Sequence, residues 1–236
     1  MAKVKVLGSG SKGNCYLIVC EKETLILELG VPFAEVFRAL DYDISACVGA
    51  LVSHEHKDHA MYISNAQRYG IDVFSCKSVS DSHANVKVLK TQSKTAIGGF
   101  RVQPINVKHS CECYAFIIEH AEMGKMLFVT DAISFRYKVK NCHHLFVESN
   151  WSEDIIIDNM CNDIEVVSAY KTHMSFDEAL STIKANFCGV TETITLIHLS
   201  NGNSNASLFA KKVSDALGFD NVYCAKEGLE IELKYD

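Results

Sequence analysis

The seven residues Ser53-His54-Glu55-His56-Lys57-Asp58-His59 constrain this chain more than any other stretch. From His54 to His59 they read H-x-H-x-D-H, with three imidazoles and a carboxylate in close succession. The apolar run Val48 to Val52 stands just before them and reads as a strand, and a helical pattern from Ala60 to Tyr69 follows. Packing does not explain so many polar side chains at the end of an apolar strand. Imidazole nitrogen with carboxylate oxygen is the donor set that borderline divalent cations favour. The loop therefore reads as part of a metal site, and it needs partners from elsewhere in the chain.

The partners are sought at other strand ends. Phe100–Lys108 reads as a strand that ends at His109, Met126–Thr130 as one that ends at Asp131, and Thr193–Ile197 as one that ends at His198. Each of these residues alone could be an ordinary polar residue at a turn. Together with His54, His56, Asp58 and His59 they supply the roughly seven groups, one a bridging carboxylate, that two cations ~3.5–4 Å apart require. Cys111 and Cys113 lie close to His109 but read as strand packing. His83, His120, His143 and His144 lack strand-end context and are expected at the surface.

The rest of the chain alternates strands and helices. Val4–Leu7, Cys15–Cys20 and Thr24–Leu29 read as strands, the first two joined by the Gly/Ser loop Gly8-Ser9-Gly10-Ser11-Lys12-Gly13-Asn14. That loop is either a flexible connection or a close approach to an anion; it lacks the strand–loop–helix context of a P-loop. Pro32 opens a short helix with Phe33, Val36, Phe37 and Leu40 on one face. Ile71–Ser75, Val86–Leu89, Tyr114–Glu119 and Leu145–Val147 read as further strands, the last ending at Glu148. A helix is expected over 155–169. Another follows the capping box formed by Ser175 and Glu178, and a third is capped by Asn205. Val222–Cys224 and Leu229–Leu233 close the chain as strands. Strands with interleaved helices in both halves predict a layered α/β sandwich.

Composition narrows the function classes. The chain has 236 residues, nearly half of them hydrophobic, and only two prolines, so residues 1–236 are expected to form one compact domain. A net charge of −6 argues against tight nucleic-acid binding through charge alone. It leaves a nuclease open, because bound cations make a site locally positive. Ten cysteines without a C-x-x-C pair read as reduced thiols, with Cys15, Cys47 and Cys188 as small buried hydrophobes. Met1-Ala2-Lys3 runs straight into a strand pattern, and no apolar run approaches the ~18 residues a membrane span needs. A soluble, cytoplasmic protein with no membrane partner is expected.

With H-x-H-x-D-H, His109, Phe-Val-Thr-Asp131 and Leu-Ile-His198 in this order, the chain resembles the metallo-β-lactamase superfamily over nearly its full length. Within it the sequence looks most like the YycJ (WalJ)-like branch and ribonuclease Z-like phosphodiesterases. That likeness rests on the stretch from Leu7 to Ile18, on Glu148-Ser149-Asn150, on Thr172-His173-Met174-Ser175, and on His198-Leu199-Ser200 with Asn203 and Asn205. The resemblance implies an αββα sandwich, two mixed sheets flanked by helices, with a dinuclear site at one sheet edge. By analogy His54, His56 and His109 would hold one metal, Asp58, His59 and His198 the other, and Asp131 would bridge them. Glu28 stands where the family usually has Asp, at a position that supports the loop. Ser110 and Thr172 also depart from the usual pattern.

The implied activity is hydrolysis of phosphodiester bonds by a nuclease resembling DNA exonucleases. Two divalent ions, Zn2+ or Mn2+, would hold a hydroxide that Asp58 orients, and His173 would act as general acid. Glu148 would hold His173 or a ligand histidine in place. The helix N-termini near Ser175 and Asn205 offer backbone N–H groups to a phosphate. The partner is then a nucleic acid or nucleotide substrate, and a homodimer stays open. A small cyclic nucleotide, or a thioester or lactam on the same fold, is the alternative substrate, and a zinc-stabilised binding protein is the non-enzymatic one.

Overall fold

The structure is a computed structural model and describes residues 2–159 and 171–235. Two seven-stranded sheets make up its centre. In spatial order the first holds β14 (Glu230–Glu232), β1 (Lys3–Gly8), β2 (Cys15–Val19), β3 (Thr24–Leu27), β4 (Cys47–Leu51), β5 (Val73–Ser75) and β6 (Lys87–Val88). The second holds β13 (Val222–Cys224), β12 (Thr193–Ile197), β11 (His144–Glu148), β10 (Gly124–Val129), β9 (Cys113–His120), β8 (Phe100–Val107) and β7 (Thr95–Ile97). Both sheets are mixed, as the resemblance implied: β3 through β6 run parallel, as do β10 through β13, and antiparallel pairs flank them.

Alternation along each strand decides which layer a side chain enters. Met126 and Phe128 of β10 and Phe146 of β11 face the core between the sheets, with Tyr16, Ile18, Phe100 and Phe116. Leu127, Val129, Leu145 and Val147 face the other way. They meet Phe176 and Ile183 of α6 (Phe176–Asn186) and Phe209 and Val213 of α7 (Ala206–Leu217). Burial on both faces explains why β10, β11 and β12 read as unbroken apolar runs. Tyr16 meets Phe128 edge to face at 5.4 Å across the inter-sheet core.

Several local expectations needed correction. The helix expected from Ala60 to Tyr69 is two short pieces, α2 (Lys57–Ala60) and α3 (Ile63–Arg68), so the first helical turn lies inside the histidine stretch itself. Starting that turn at Lys57 carries Asp58 and His59 back toward the sheet edge. A short helix α4 (Lys77–Ser82) and strand β7 were not expected. Helix α1 (Phe33–Ala39) follows Pro32 as read. The expected helix over 155–169 is described only as α5 (Glu153–Asn159); the rest lies outside the described residues. Ser175 caps α6 by accepting from the Glu178 N–H at 3.2 Å, but the Glu178 carboxylate meets Arg136 at 3.4 Å. Asn205 caps α7, accepting from Leu208 at 3.0 Å.

His144 and His120 are not surface residues. His144 is fully buried and its Nε2–H donates to the Met123 carbonyl at 2.9 Å. The His120 ring packs on Phe100, with centroids 4.5 Å apart. Isolated histidines carry no pattern that separates a buried donor from an exposed one. The described cysteines are all free thiols. No helix among the described residues is long and apolar enough to cross a membrane.

Candidate metal centre

Strand direction builds the site. β4, β8, β10, β11 and β12 all point their C-terminal ends at one edge of the sandwich, where His54, His109, Asp131, Glu148 and His198 emerge. Asn14 reaches the same edge from the start of β2. The turn after β4 delivers four polar groups, His54, His56, Asp58 and His59, and each of the other strand ends delivers one.

His54 Nε2 lies 2.9 Å from His56 Nδ1, which lies 3.2 Å from His109 Nε2. Asp131 Oδ2 is 3.6 Å from His54 Nε2 and 3.5 Å from His109 Nε2. On the other side, His59 Nε2 is 3.3 Å from both Asp58 Oδ2 and Asp131 Oδ1. His198 Nε2 is 3.4 Å from Asp58 Oδ2, and its Nδ1 is 3.5 Å from Asp131 Oδ1. All seven residues singled out in the sequence therefore meet, in two groups that share Asp131.

The donor set fits divalent cations. A tetrahedral ion with bonds of ~2.0–2.1 Å sets its ligand atoms about 3.3 Å apart, close to the separations found here. The outer nitrogens are already engaged: His109 Nδ1 donates to the Thr172 carbonyl at 2.9 Å, and His54 Nδ1 meets Ser53 Oγ at 2.9 Å. The inner nitrogens of His54, His56 and His109 are left facing one another, at a range that takes a shared proton or a cation between them. Buried His59 Nδ1 makes no hydrogen bond, though Glu28 Oε2 stands 3.4 Å away.

Charge points the same way. Burial and then the neighbouring His59 push the His54 pKa well below normal. Burial would raise the carboxyl of Asp131, but His198 and His59 outweigh it and hold it well down. Burial would likewise raise Asp58, and hydrogen bonds from His198 and His59 reverse that. Burial would lower His198, yet Asp131, Asp58 and Glu148 bring it up to about 10. The carboxylates thus draw positive charge into the centre, as protons on imidazole or as cations in their place.

Glu148 sits beneath the site, fully buried. Its carboxylate accepts from His173 Nδ1 at 2.7 Å and from the Ala132 N–H at 2.9 Å, and it lies 3.1 Å from His198 Nδ1. His173 stacks on His198 at 5.2 Å and lies 3.8 Å from Asp131 Oδ2. Burial would lower the His173 pKa, but the Glu148 carboxylate reverses it and the net direction is up. Glu28 accepts the Ser53 N–H at 3.2 Å and so holds the loop from below.

Two residues at the centre escaped the sequence reading. Asn14 Nδ2 stands 3.1 Å from His59 Nε2 and 3.3 Å from Asp58 Oδ2. Its place at the end of the Gly/Ser loop was the available signal. Ser9 of the same loop accepts the His198 N–H at 2.9 Å through Oγ, so the loop braces a candidate ligand. Cys111, set aside as packing, brings Sγ to 3.9 Å from His56 Nε2 and joins the first group, whereas Cys113 is buried within β9.

The two-sheet sandwich and a His/Asp cluster able to hold divalent cations at its edge define a metallo-β-lactamase-fold protein. No protein-family model matches the chain. It is similar to a curated exodeoxyribonuclease YycJ from Bacillus anthracis, with 23% identity over 238 residues that span 90% of this chain and 88% of the relative. The metallo-β-lactamase fold protein YhfI from Bacillus subtilis superposes with a TM-score of 0.75 at 18% identity, covering 98% of this chain and all of the other. Human tRNase Z, short form, superposes at 0.63 with 12% identity, covering 99% of this chain and all of that one.

Proposed function

We propose that the chain is a metal-dependent hydrolase of phosphodiester bonds and that its substrate is nucleic acid. Two divalent cations would be held by His54, His56 and His109 on one side and by Asp58, His59 and His198 on the other, with Asp131 between them. Bound there, the ions would acidify a water and neutralise the charge on a phosphate. Asp58 is then both ligand and orienting group for the attacking water.

The observation that carries this reading is His173. A thioester expels a thiolate, which leaves without a separate acid, whereas a phosphodiester expels an alkoxide that needs a proton. Glu148 takes the Nδ1 hydrogen at 2.7 Å, and Nε2 has no hydrogen-bond partner among the described residues. The carboxylate favours the imidazolium form, which keeps a second N–H to give to the departing oxygen. The names of the Bacillus anthracis relative and of the human neighbour support a nucleic-acid substrate. The net charge of −6 favours a second reading, a nucleotide-sized ester on the same centre.

The test compares bis(p-nitrophenyl) phosphate with a thioester and a lactam on the metal-loaded protein. Diester turnover is expected, and on a dinucleotide diester, whose leaving group is an alkoxide, His173→Ala should lower it roughly 10²–10⁴-fold with metal content unchanged. Asp131→Ala should instead lower metal occupancy. Thioester turnover without diester turnover would sink the reading.

A further inference from the structure

At the opposite end of the sandwich a second group of metal-ligating side chains joins the two sheets. Cys20, just after β2, brings Sγ to 3.3 Å from Nδ1 of His120, at the end of β9. The Glu122 carboxylate lies in the same group, its ligand atom within 4.8 Å of the other two. Three turns meet here. Glu23 follows Cys20 in the β2–β3 turn, Gly99 precedes β8, and Glu122 follows His120 in the β9–β10 turn.

The histidine is set up as a ligand. The Glu122 N–H donates to Nδ1 at 3.2 Å, so that nitrogen carries the lone pair. Nε2 then carries the hydrogen and gives it to Glu23 Oε1 at 2.9 Å. A carboxylate behind the far nitrogen is the usual support for a metal-bound imidazole. Glu23 is itself fixed, accepting the Gly99 N–H at 2.9 Å, and a Cβ at residue 99 would strike that carboxylate. The Glu122 oxygens each stand 3.1 Å from the Glu21 N–H.

Two simpler roles fit poorly. Burial first, then Glu122 and Glu23, push the Cys20 thiol up to about 12, so it is no nucleophile at neutral pH. None of the salt bridges formed by the described residues neutralises Glu122. A cation that displaces the thiol hydrogen to solvent answers both the thiol and the carboxylate. Access is from the Glu122 side, since that residue is only half-buried.

We propose that Cys20, His120 and Glu122 form a separate site for a thiolate-accepting divalent cation of the zinc class, one that ties the distal turns of the two sheets together. Sulfur, imidazole nitrogen and carboxylate oxygen is a zinc-type donor set, and magnesium and calcium do not take thiolate. The site is independent of the hydrolytic reading.

The test is cobalt titration of the chelator-treated protein in a Cys111→Ser background, which removes the thiol near His56. A thiolate-to-cobalt charge-transfer band is expected, with one cation more per chain than in the same protein carrying Cys20→Ser. Glu23→Gln and Glu122→Gln should each weaken the cobalt that gives the band by roughly 10–100-fold. The melting transition in chelator should match the parent in each variant, separating lost metal from lost fold. If Cys20→Ser does not fold, the Glu122→Gln titration decides. Absence of the band in the Cys111→Ser protein overturns the proposal. So does a band of unchanged affinity in Cys20→Ser or, where that variant does not fold, in Glu122→Gln.

Discussion

Three non-glycine residues at the metal centre hold left-handed backbone: Glu28 at φ 65°, Asp131 at 47° and His198 at 51°. Such positions cost on the order of 1 kcal/mol each and persist where neighbours over-determine them. Those neighbours are visible: Asn150 Nδ2 donates to the His198 carbonyl at 3.0 Å, and Glu148 takes the Ala132 N–H beside Asp131. Glu148→Gln keeps the volume but cannot accept from both His173 and His198 as a charged group. We expect diester hydrolysis to fall by roughly 10–100-fold and the alkaline limb of its pH profile, where His173 loses its proton, to move to lower pH, while far-ultraviolet circular dichroism stays the same. An unchanged profile would show that the acid does not depend on Glu148. His144 gives a residue-scale stability prediction. Burial lowers its pKa from 6.5 to about 4 in the fold. Between those values the unfolded chain binds the extra proton, so stability falls as pH drops from 6.5 toward 4. The loss is about 3 kcal/mol at ~1.4 kcal/mol per pKa unit. In His144→Gln, the stability read by urea unfolding should fall less steeply with pH across that window than in the parent, by the His144 share.

At the scale of elements, the histidine turn is held by backbone, with Gly30 as the point of closest approach. Asn14 N–H donates to the Asp58 carbonyl at 2.8 Å, and the Gly30 N–H donates to the Asn14 carbonyl at 2.9 Å. A Cβ at residue 30 would sit on the Asp58 carbonyl. Gly30→Ala should therefore displace α2 and lower metal content, read by elemental analysis of the purified protein, even though residue 30 offers no ligand. Ser175→Ala should cost about 1 kcal/mol in chemical denaturation through the lost N-cap of α6. The caps and most strands were legible in the sequence because each rests on a few adjacent residues. For the same reason the stretch expected as one helix from Ala60 to Tyr69 forms two. Its apolar spacing is satisfied by two short helices, and the placement of Asp58 and His59 against Asp131 selects them.

For the whole molecule, four carboxylates, Glu28, Asp58, Asp131 and Glu148, converge with the imidazoles at one sheet edge. Cations held there would stabilise the fold by mass action, about 2.7 kcal/mol per site when free metal is a hundredfold above its dissociation constant. Chelation should lower the melting temperature and added zinc or manganese should restore it, measured by calorimetry. A melting temperature indifferent to chelator would mean that the edge holds no ion. The sequence by itself determined the H-x-H-x-D-H turn, the polar residue at the end of each strand that reaches the site and the layered α/β class. These depend on periodicity and on neighbours in the chain. Only the tertiary structure decided that those strand ends share one edge, that Glu148 holds both His173 and His198, and that Cys20 meets His120 at the other end. These pairings span 25 to 100 residues of chain. They are set by sheet register and strand direction, which local sequence does not encode.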